Sequence, residues 1–357
     1  MRKLATLETI LEIKPHNNAD ALEIAIVRGW QVVVAKGVFK AGDLCVFFEI
    51  DSLLPCKEPF EFLRKSCYRQ MANGVEGFRL KTIKLRSERS QGLIIPFNEL
   101  FEGNRVKYND NVLTTLEPGI DVTDLLEVVR WEPPMSAHLQ GIARGSFPSL
   151  IPRTDSERVQ NLWPFIKNQN PDTLFEVSLK LDGTSATYFW YEGRLGTCSR
   201  NLELHMDGYF DKGDTVTRCK DTYVSVATRQ GVYQALEKLG RSIAIQSEIL
   251  GEGIQGNKEK LIGQQLFIFD VFDIDKHRYL TPVERVELLT EMNLIASHIP
   301  VLEHTTLDKF KTLDDMLSYA DGKSLNAEIR EGVVFKAHTE DRVNFKAISD
   351  QFLFLEK

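Results

Sequence analysis

The sequence is poor in the features of secreted, membrane-spanning and generally basic proteins. Its five cysteines are odd in number and include no Cys-x-x-Cys pair, so neither a disulfide framework nor a zinc site is expected. No apolar run approaches the roughly 18 residues of a membrane helix, and the N-terminus has no apolar core of signal-peptide length. We therefore expect a reducing intracellular compartment, cytoplasm or nucleus, and no membrane partner.

A strong positive charge is also missing. The formal net charge of −7 argues against a basic coat for nucleic acid. Residues 1–150 hold 19 Lys and Arg against 19 Asp and Glu, so residues 151–357 carry the whole −7. An acidic half can still bind phosphate groups where its basic residues converge on one cleft, and it can hold divalent metals. At 357 residues, the chain is long enough for two domains with real cores.

Short apolar segments separated by turn residues run through the first part of the chain. Residues 9–14, 22–27, 30–35 and 44–50 are predicted as strands. This spacing is typical of a small β-barrel. The stretch Ile13–Glu23 resembles the opening of OB-type tRNA-binding modules, which implies an OB-like barrel that binds nucleic acid. The alternative is a generic barrel whose surface serves only for packing.

A further strand is predicted from Phe78 to Leu85, and it leads into the most basic stretch of this half. Along an extended strand alternate side chains share a face, so Lys84 and Arg86 are expected to lie together. With Lys81 they would suit the phosphate backbone of a nucleic acid. A solvated edge strand would explain the same residues.

Residues rich in Gly, Ser and Pro predict a linker at about 133–150. We therefore divide the chain into an OB-like nucleic-acid-binding domain at 1–140 and a second domain at 141–357. In the second domain helical and strand patterns mix, which predicts an α+β fold with antiparallel sheets. Two capping boxes, Thr154–Glu157 and Thr281–Glu284, are predicted to begin helices.

The stretch Leu179-Lys180-Leu181-Asp182-Gly183 follows a strongly apolar strand. Burial disfavours an ammonium ion and lowers the pKa of a lysine, which makes it nucleophilic. Lys180 is therefore a candidate nucleophile. A surface lysine before an ordinary Asp-Gly turn would explain this segment equally well when it is taken alone.

Five further segments, read with Lys180–Gly183, resemble the ordered motifs of the covalent nucleotidyltransferases, the superfamily of ligases and mRNA capping enzymes. They are Ser199-Arg200-Asn201, the strand residue Glu248, Phe269–Phe272, Glu331–Lys336 and Asn344-Phe345-Lys346. Each segment alone is weak evidence, whereas their order and spacing together are specific. The resemblance implies an ATP-grasp-like nucleotidyltransferase domain of antiparallel sheets with flanking helices.

The resemblance also implies roles for these residues. Lys180 would attack the α-phosphorus of ATP and become AMP-lysine, with Lys346 and Glu331 as further catalytic residues; Lys346 would help lower the pKa of Lys180. Phe269 would stack on adenine, although Phe267 lies on the same side of the strand. Mg²⁺ or Mn²⁺ would be held through water by carboxylates. The implied ATP-binding residues are Leu179, Asp182, Gly183, Arg200, Glu248, Phe269, Glu331 and Lys346, and the implied metal-binding residues are Asp182, Glu248 and Glu331.

The order of the two domains resembles the ATP-dependent RNA ligases of the Deinococcus and Naegleria type. Only 11 residues follow Lys346, whereas DNA ligases and capping enzymes carry an OB domain there. Gly145–Asn161 and Ser90–Leu93 are also similar to that ligase family. The resemblance implies an enzyme that seals 3′-OH/5′-phosphate nicks in RNA or RNA–DNA duplexes, with RNA on the 3′-OH side. We also expect a monomer. Asn344 departs from the family pattern, since many relatives carry a lysine there, and Lys346 would then bind the phosphate alone.

Two alternatives remain open at this point. A capping-type guanylyltransferase would use the same lysine chemistry with GTP. A non-catalytic OB-fold nucleic-acid-binding protein could retain the second domain as a relic, although Lys180, Glu331 and Lys346 are all present.

Overall fold

The computed structural model describes residues 3–71, 73–132, 141–169, 172–206 and 221–355. The chain forms two compact units, Met1–Met135 with Phe354–Lys357, and Ser136–Leu353. The predicted boundary at 140 and the first part of the predicted linker lie outside the described residues. No helix among the described residues is both long enough and apolar enough to span a membrane.

The first unit is built from short antiparallel strands and two single-turn helices. The strands are β1 (Ala5–Thr9), β2 (Glu12–Pro15), β3 (Leu22–Val27), β4 (Trp30–Ala35), β5 (Leu44–Phe48), β6 (Ser52–Leu54), β7 (Tyr68–Gln70), β8 (Glu76–Arg79), β9 (Thr82–Leu85), β10 (Glu88–Gln91), β11 (Leu93–Pro96), β12 (Phe101–Glu102), β13 (Arg105–Val106) and β14 (Val129–Arg130). The helices are α1 (Arg64–Cys67) and α2 (Phe97–Leu100). The sheets have the orders β1-β5-β11, β2-β3-β4 and β14-β6-β8-β7, with two separate hairpins, β9-β10 and β12-β13.

Strand β5 separates the two apolar cores of this unit. Its sequence is apolar throughout, so both of its faces are buried. Cys45 and Phe47 pack into the core that contains Trp30. Val46 and Phe48 pack into the second core. The predicted OB-like barrel therefore has buried side chains on both sides of its central strand.

The predicted strand from Phe78 to Leu85 is broken in the structure, and that prediction was wrong. Leu80 keeps the chain on the sheet, because its backbone N–H donates to the carbonyl oxygen of Ser52 at 2.9 Å. The chain then leaves the sheet and forms the β9-β10 hairpin. Leu80 is buried, and β9 begins two residues later at Thr82.

The second unit places helices on two large sheets. Its strands are β15 (Ala143–Ser146), β16 (Glu157–Arg158), β17 (Phe175–Lys180), β18 (Thr184–Tyr191), β19 (Arg194–Cys198), β20 (Leu202–Leu204), β21 (Ile243–Gly251), β22 (Gln264–Asp273), β23 (Arg278–Tyr279), β24 (Val301–Thr305), β25 (Gly332–Ala337) and β26 (Asn344–Ile348). The remaining helices of the described residues are α3 (Val159–Gln169), α4 (Thr222–Arg229), α5 (Val232–Leu239), α6 (Pro282–Glu291), α7 (Leu313–Ala320) and α8 (Asp350–Leu355).

One sheet has the order β15-β20-β19-β18-β21-β22-β23 and the other β16-β26-β25-β17-β24. All neighbouring strands are antiparallel except β16 and β26. Helices α4 and α5 contribute to the core on one face of the seven-stranded sheet, and α3 and α7 to a core on the five-stranded sheet. A smaller apolar cluster joins residues of both sheets, among them Leu179, Leu250 and Phe269. The predicted α+β class with antiparallel sheets is confirmed.

Helix boundaries test the two predicted capping boxes. The box at Thr281 is confirmed, because Glu284 N donates to Thr281 Oγ1 at 3.3 Å and Thr281 N donates to Glu284 Oε2 at 2.8 Å. The box at Thr154 was wrong: α3 begins only at Val159, and the Thr154 hydroxyl lies 3.3 Å from Ser185 Oγ.

Candidate active site

Lys180 lies at the end of β17, where the chain leaves the five-stranded sheet. The preceding residues of this strand are buried, and Lys180 lies opposite Gly332 on β25. Its ammonium nitrogen Nζ lies 2.6 Å from Glu331 Oε1, and the two side chains are 27% and 16% exposed. The site thus holds a lysine in direct contact with a carboxylate at the edge of the core.

The turn after Lys180 brings Glu248 of the other sheet to the same place. The backbone N–H of Gly183 donates to Glu248 Oε1 at 3.2 Å. A Cβ atom on Gly183 would lie 2.2 Å from the carbonyl oxygen of Ile249, so only glycine allows this approach. Leu179 packs in the small apolar cluster beneath the turn.

The carboxylates raise the pKa of Lys180 instead of leaving it low. Burial lowers that pKa, but the charges of Glu331, Glu248 and Asp182 outweigh burial and bring the pKa above its ordinary value. The predicted low pKa was therefore wrong for the protein without ligands. Burial also raises the pKa of Glu248 to about 8, against the lowering effect of Lys180. Glu248 therefore holds its proton more strongly than an ordinary carboxyl group does.

The same carboxylates fit a divalent metal that is held through water. Glu331 Oε2 is buried without a hydrogen-bond partner among the described residues. Carboxylate oxygens are the ligands that Mg²⁺ and Mn²⁺ prefer, and Mg²⁺ usually keeps several of its waters. The described part of the chain contains no cluster of three or more acidic, His or Cys side chains that could ligate a metal directly.

Phe267 and Phe269 both present half-buried rings to the apolar cluster around Leu179. Strand β22 carries a register shift here: Gln246 is opposite Asp270 and Ser247 is opposite Ile268, which leaves Phe269 unpaired. The Lys336 ammonium lies 5.2 Å from the centroid of the Phe269 ring and donates to the Phe269 carbonyl oxygen. Either ring has the position and the exposed surface of a stacking platform.

Arg200 and Lys346 lie on other elements of the same unit. Arg200 follows β19, and its Nη2 lies 3.0 Å from Asp155 Oδ1, with both side chains exposed. Lys346 on β26 is opposite Val334 on β25, so one strand separates β26 from the strand of Lys180. Asn344 shares the side of β26 with Lys346 and donates to Ser156 Oγ at 3.3 Å.

Comparisons with known proteins follow the same division. A family model described as OB-fold domain matches residues 4–97, and one described as RNA ligase matches residues 173–348. The structure of Naegleria gruberi RNA ligase with PPi is 40% identical over 99% of this chain and 98% of that chain, with a TM-score of 0.83. The chain belongs to the RNA ligase family. The predictions of an OB fold, a nucleotidyltransferase domain and an RNA ligase are confirmed.

Two further structures bear on the predicted cofactors. A lysine-to-alanine mutant of the Naegleria gruberi RNA ligase with ATP and Mn is 39% identical, with a TM-score of 0.82 and coverage of 99% and 97% of the two chains. A glutamate-to-alanine mutant of the Naegleria gruberi RNA ligase with AMP and Mn is 40% identical to this chain, with a TM-score of 0.83 and coverage of 99% of this chain and 98% of that chain. No curated protein matches the chain.

Sequence reasoning missed a buried ion network of this ligase. Arg285 of α6 is fully buried and donates to both carboxylate oxygens of Glu176 at 2.6 Å. Asp270 lies 3.1 Å from Lys336 Nζ and 2.7 Å from Arg342 Nη2. Glu176 is opposite Lys336 on the five-stranded sheet, whereas Asp270 belongs to the seven-stranded sheet. The sequence contained a signal for this network, because Glu176 and Asp270 are charged residues within apolar strand segments.

The predicted nucleic-acid residues Lys84 and Arg86 do not lie on one extended strand. Arg86 has a positive φ of 48° in the tight turn between β9 and β10, so the strand alternation that would have placed it beside Lys84 does not apply. Lys81 lines a cavity of about 470 Å³ together with the hairpin residues Ile83 and Leu85. The expected common face of Lys84 and Arg86 was wrong, because the hairpin turns one residue after Leu85.

Proposed function

We propose that this ligase seals 3′-OH/5′-phosphate nicks in RNA or RNA–DNA duplexes through an AMP-lysine at Lys180, with RNA on the 3′-OH side. The observation that carries the proposal is the 2.6 Å contact between Lys180 Nζ and Glu331 Oε1, with the charge of Glu248 acting on the same lysine. The neighbouring residue Leu179 packs in one cluster with two half-buried phenylalanine rings. Clustered carboxylates around one lysine suit the binding of metal and nucleotide better than they suit stability.

In the first step the neutral amine of Lys180 attacks the α-phosphorus of ATP. A phosphorus–nitrogen bond forms, and the bond to pyrophosphate breaks. Glu331 orients the amine and is the nearest group that can take its proton. Asp182, Glu248 and Glu331 would hold a divalent metal through water, and the metal would neutralise charge on the phosphates. The pKa of Lys180 falls when the charge of these carboxylates is neutralised, since that charge is what raises it.

In the second step AMP moves from Lys180 to the 5′-phosphate of the nick. In the third step the 3′-OH attacks that phosphate, a phosphodiester forms, and AMP leaves. A 2′-OH on the 3′-terminal nucleotide is the local group that distinguishes RNA from DNA. Leu179 and Gly183 shape the nucleotide site, with adenine on Phe269 or Phe267. Arg200 and Lys346 would bind ribose or phosphate oxygens.

The OB-fold unit would hold the nucleic acid, with Lys81, Lys84 and Arg86 contacting its backbone. Such contacts position a duplex without reading its sequence. The predictions of a monomer and of a cytoplasmic or nuclear compartment rest on the sequence alone.

The test is incubation with α-labelled ATP and Mn²⁺ of the wild type, Lys180→Met and Lys276→Met. Lys276 is the matched control, because its side chain is 61% exposed and lies in the turn before β23. We expect label on the wild type and the control and none on Lys180→Met. No label on the wild type would contradict the proposal, and labelling by GTP instead of ATP would favour the guanylyltransferase.

The substrate is tested on nicked duplexes that differ only in the sugar of the 3′-terminal nucleotide. Ribose at that position should permit sealing, and deoxyribose should leave the AMP-capped 5′ end to accumulate. Equal sealing of both duplexes would show that the 2′-OH is not read.

A further inference from the structure

Unusual φ angles and side-chain hydrogen bonds constrain the backbone of the connection between β21 and β22. Within residues 252–263, three residues other than glycine have a positive φ: 45° at Gln255, 46° at Asn257 and 52° at Lys260. The side chain of Asn257 bonds the backbone twice, since Asn257 Oδ1 accepts from Leu261 N at 3.0 Å and Nδ2 donates to Leu261 O at 2.9 Å. The two hydrogen bonds of Asn257 close residues 257–261 into a defined turn.

A buried carboxylate fastens this connection to a second segment of the unit. Glu259 is 6% exposed, and its Oε2 accepts the backbone N–H groups of Asn326 at 2.7 Å and Ala327 at 3.0 Å. Asn326 Nδ2 in turn donates to the Glu259 carbonyl oxygen at 2.9 Å. These hydrogen bonds therefore fix the backbone position of the residue that precedes Glu259.

That residue is Lys258, and its ammonium reaches the candidate active site. Lys258 Nζ lies 2.5 Å from Asp182 Oδ2 and 4.3 Å from the centroid of the Phe352 ring. The Lys258 side chain is 46% exposed and that of Asp182 is 24% exposed. Such half-exposed ion pairs contribute little free energy and exchange readily.

We propose that Lys258 is the internal counter-ion of Asp182, and that it competes with the divalent metal for this carboxylate. The inference rests on the proposed function, in which Asp182 helps to hold the metal through water. Asp182, Glu248 and Glu331 all act electrostatically on Lys180. The Lys258 ammonium beside Asp182 reduces the net negative charge of these carboxylates. A metal that binds Asp182 must displace this ammonium. Lys258 is thus a positioning residue that sets the metal affinity.

The test measures Mn²⁺ binding to the full-length protein without ATP, by electron paramagnetic resonance of free Mn²⁺. Removal of an exposed ion-pair partner is worth roughly a two- to fivefold change in affinity. Lys258→Met should therefore bind Mn²⁺ more tightly by that factor. A merely structural lysine would leave the affinity unchanged or weaken it, and either result would overturn the proposal.

Three variants assign the effect to the Asp182 carboxylate. Lys276→Met changes the net charge equally at a remote turn and should leave Mn²⁺ affinity unchanged. Lys258→Arg keeps the cation and should stay close to the wild type. Asp182→Asn should bind more weakly, and adding Lys258→Met to it should give no gain. A gain of the same size in that double variant would contradict competition for Asp182.

Failure of this inference is distinguishable from failure of the proposed function. Mn²⁺ binding without ATP requires no adenylylation, so Lys258→Met can be tested whatever the labelling of Lys180 shows. Labelled wild type with unchanged Mn²⁺ affinity in Lys258→Met would overturn the role of Lys258 and leave the ligase chemistry intact.

Discussion

Two groups of charged side chains in the second unit have opposite balances. The buried ion network sets Glu176 and Asp270 against Arg285, Lys336 and Arg342. The acidic site cluster sets Asp182, Glu248 and Glu331 against Lys180 and the half-exposed Lys258. In the network every carboxylate has a cation within 4 Å. In the cluster Glu331 is paired with Lys180 and Asp182 with Lys258, while Glu248 accepts the backbone N–H of Gly183.

The different charge balance indicates a structural role for the buried ion network and a chemical role for the acidic site cluster. Charges that are buried with partners hold elements in place, because loss of one partner leaves the other uncompensated. The network joins β17, β22, β25 and α6, and so fixes both sheets that carry site residues. An excess of carboxylates is unfavourable unless it is relieved by a proton, as the raised pKa of Glu248 indicates, or by a ligand that supplies positive charge. We therefore read the network as the support of the site and the cluster as its reactive part.

Arg285→Met should have the largest effect on stability. It leaves the buried carboxylate of Glu176 without its donor, and loss of one partner of a buried ion pair costs about 3–5 kcal/mol. Denaturant unfolding followed by tryptophan fluorescence measures the change. The double variant Glu176→Gln/Arg285→Met should recover part of it. A loss below about 1 kcal/mol would place the network among ordinary surface pairs.

Glu331→Gln should lower the rate of adenylylation strongly and change the free energy of unfolding only slightly. The amide cannot supply the charge that orients the Lys180 amine, and loss of one positioned electrostatic group lowers rates by about 10²-fold or more. The rate of labelling by α-labelled ATP is the measurement. The free energy of unfolding should stay within about 1 kcal/mol of the wild type, as for an exchange of similar shape. A loss of stability as large as that of Arg285→Met would contradict the distinction between the acidic site cluster and the buried ion network.

A comparison of Phe267→Ala with Phe269→Ala decides which ring stacks on adenine. Loss of a base–aromatic stack costs roughly 1–3 kcal/mol, so one of the two variants should bind ATP about five- to a hundredfold more weakly. Equilibrium titration with ATP, with each substitution made in a Lys180→Met background that cannot form the covalent adduct, gives the affinity. We expect Phe269→Ala to be the weaker binder. An effect confined to Phe267→Ala would move the assignment by two residues along β22.

The pair of Arg278 and Glu284 provides a reference outside both groups. Its closest contact is 2.6 Å, and Arg278 and the cap at Thr281 bring the pKa of Glu284 to about 2. A carboxyl whose pKa is lower in the folded state stabilises the fold above its unfolded pKa and loses that contribution as the pH falls. The loss therefore runs from about pH 4.5 to about pH 2.

Glu284→Gln should flatten this part of the pH dependence. The side chain is 36% exposed, so the effect on the free energy of unfolding should be below about 1 kcal/mol. Unfolding by denaturant at pH 7 and at pH 3 provides the comparison. An identical pH dependence in the wild type and the variant would contradict the assignment.

Much of the fold and of the candidate site follows from local patterns. The alternation of β22 and the capping box at Thr281 are encoded by neighbouring residues, and both are present in the structure. The order of the motif segments indicated the family because each segment supplies a particular chemical group. Lys180, Glu331 and Glu248 are the predicted residues that the structure brings together.

The missed features depend on contacts that no local pattern contains. Lys258 reaches Asp182 from 76 residues away, through a connection with unusual backbone angles. The pKa of Lys180 depends on carboxylates from three segments, so burial alone gave the wrong direction. The break at Leu80 requires knowledge of its partner at Ser52. The roles of Phe267 and Phe269 are not separated by alternation, because both rings face the same cluster.

The central claim is that Lys180 is the nucleophile of this ligase. The most direct measurement is peptide mass spectrometry of the wild type after incubation with ATP and Mn²⁺. The account predicts one peptide that contains Lys180 and carries the mass of AMP, with an acid-labile phosphorus–nitrogen linkage. AMP on a different residue, or no adduct while nicks are still sealed, would contradict it.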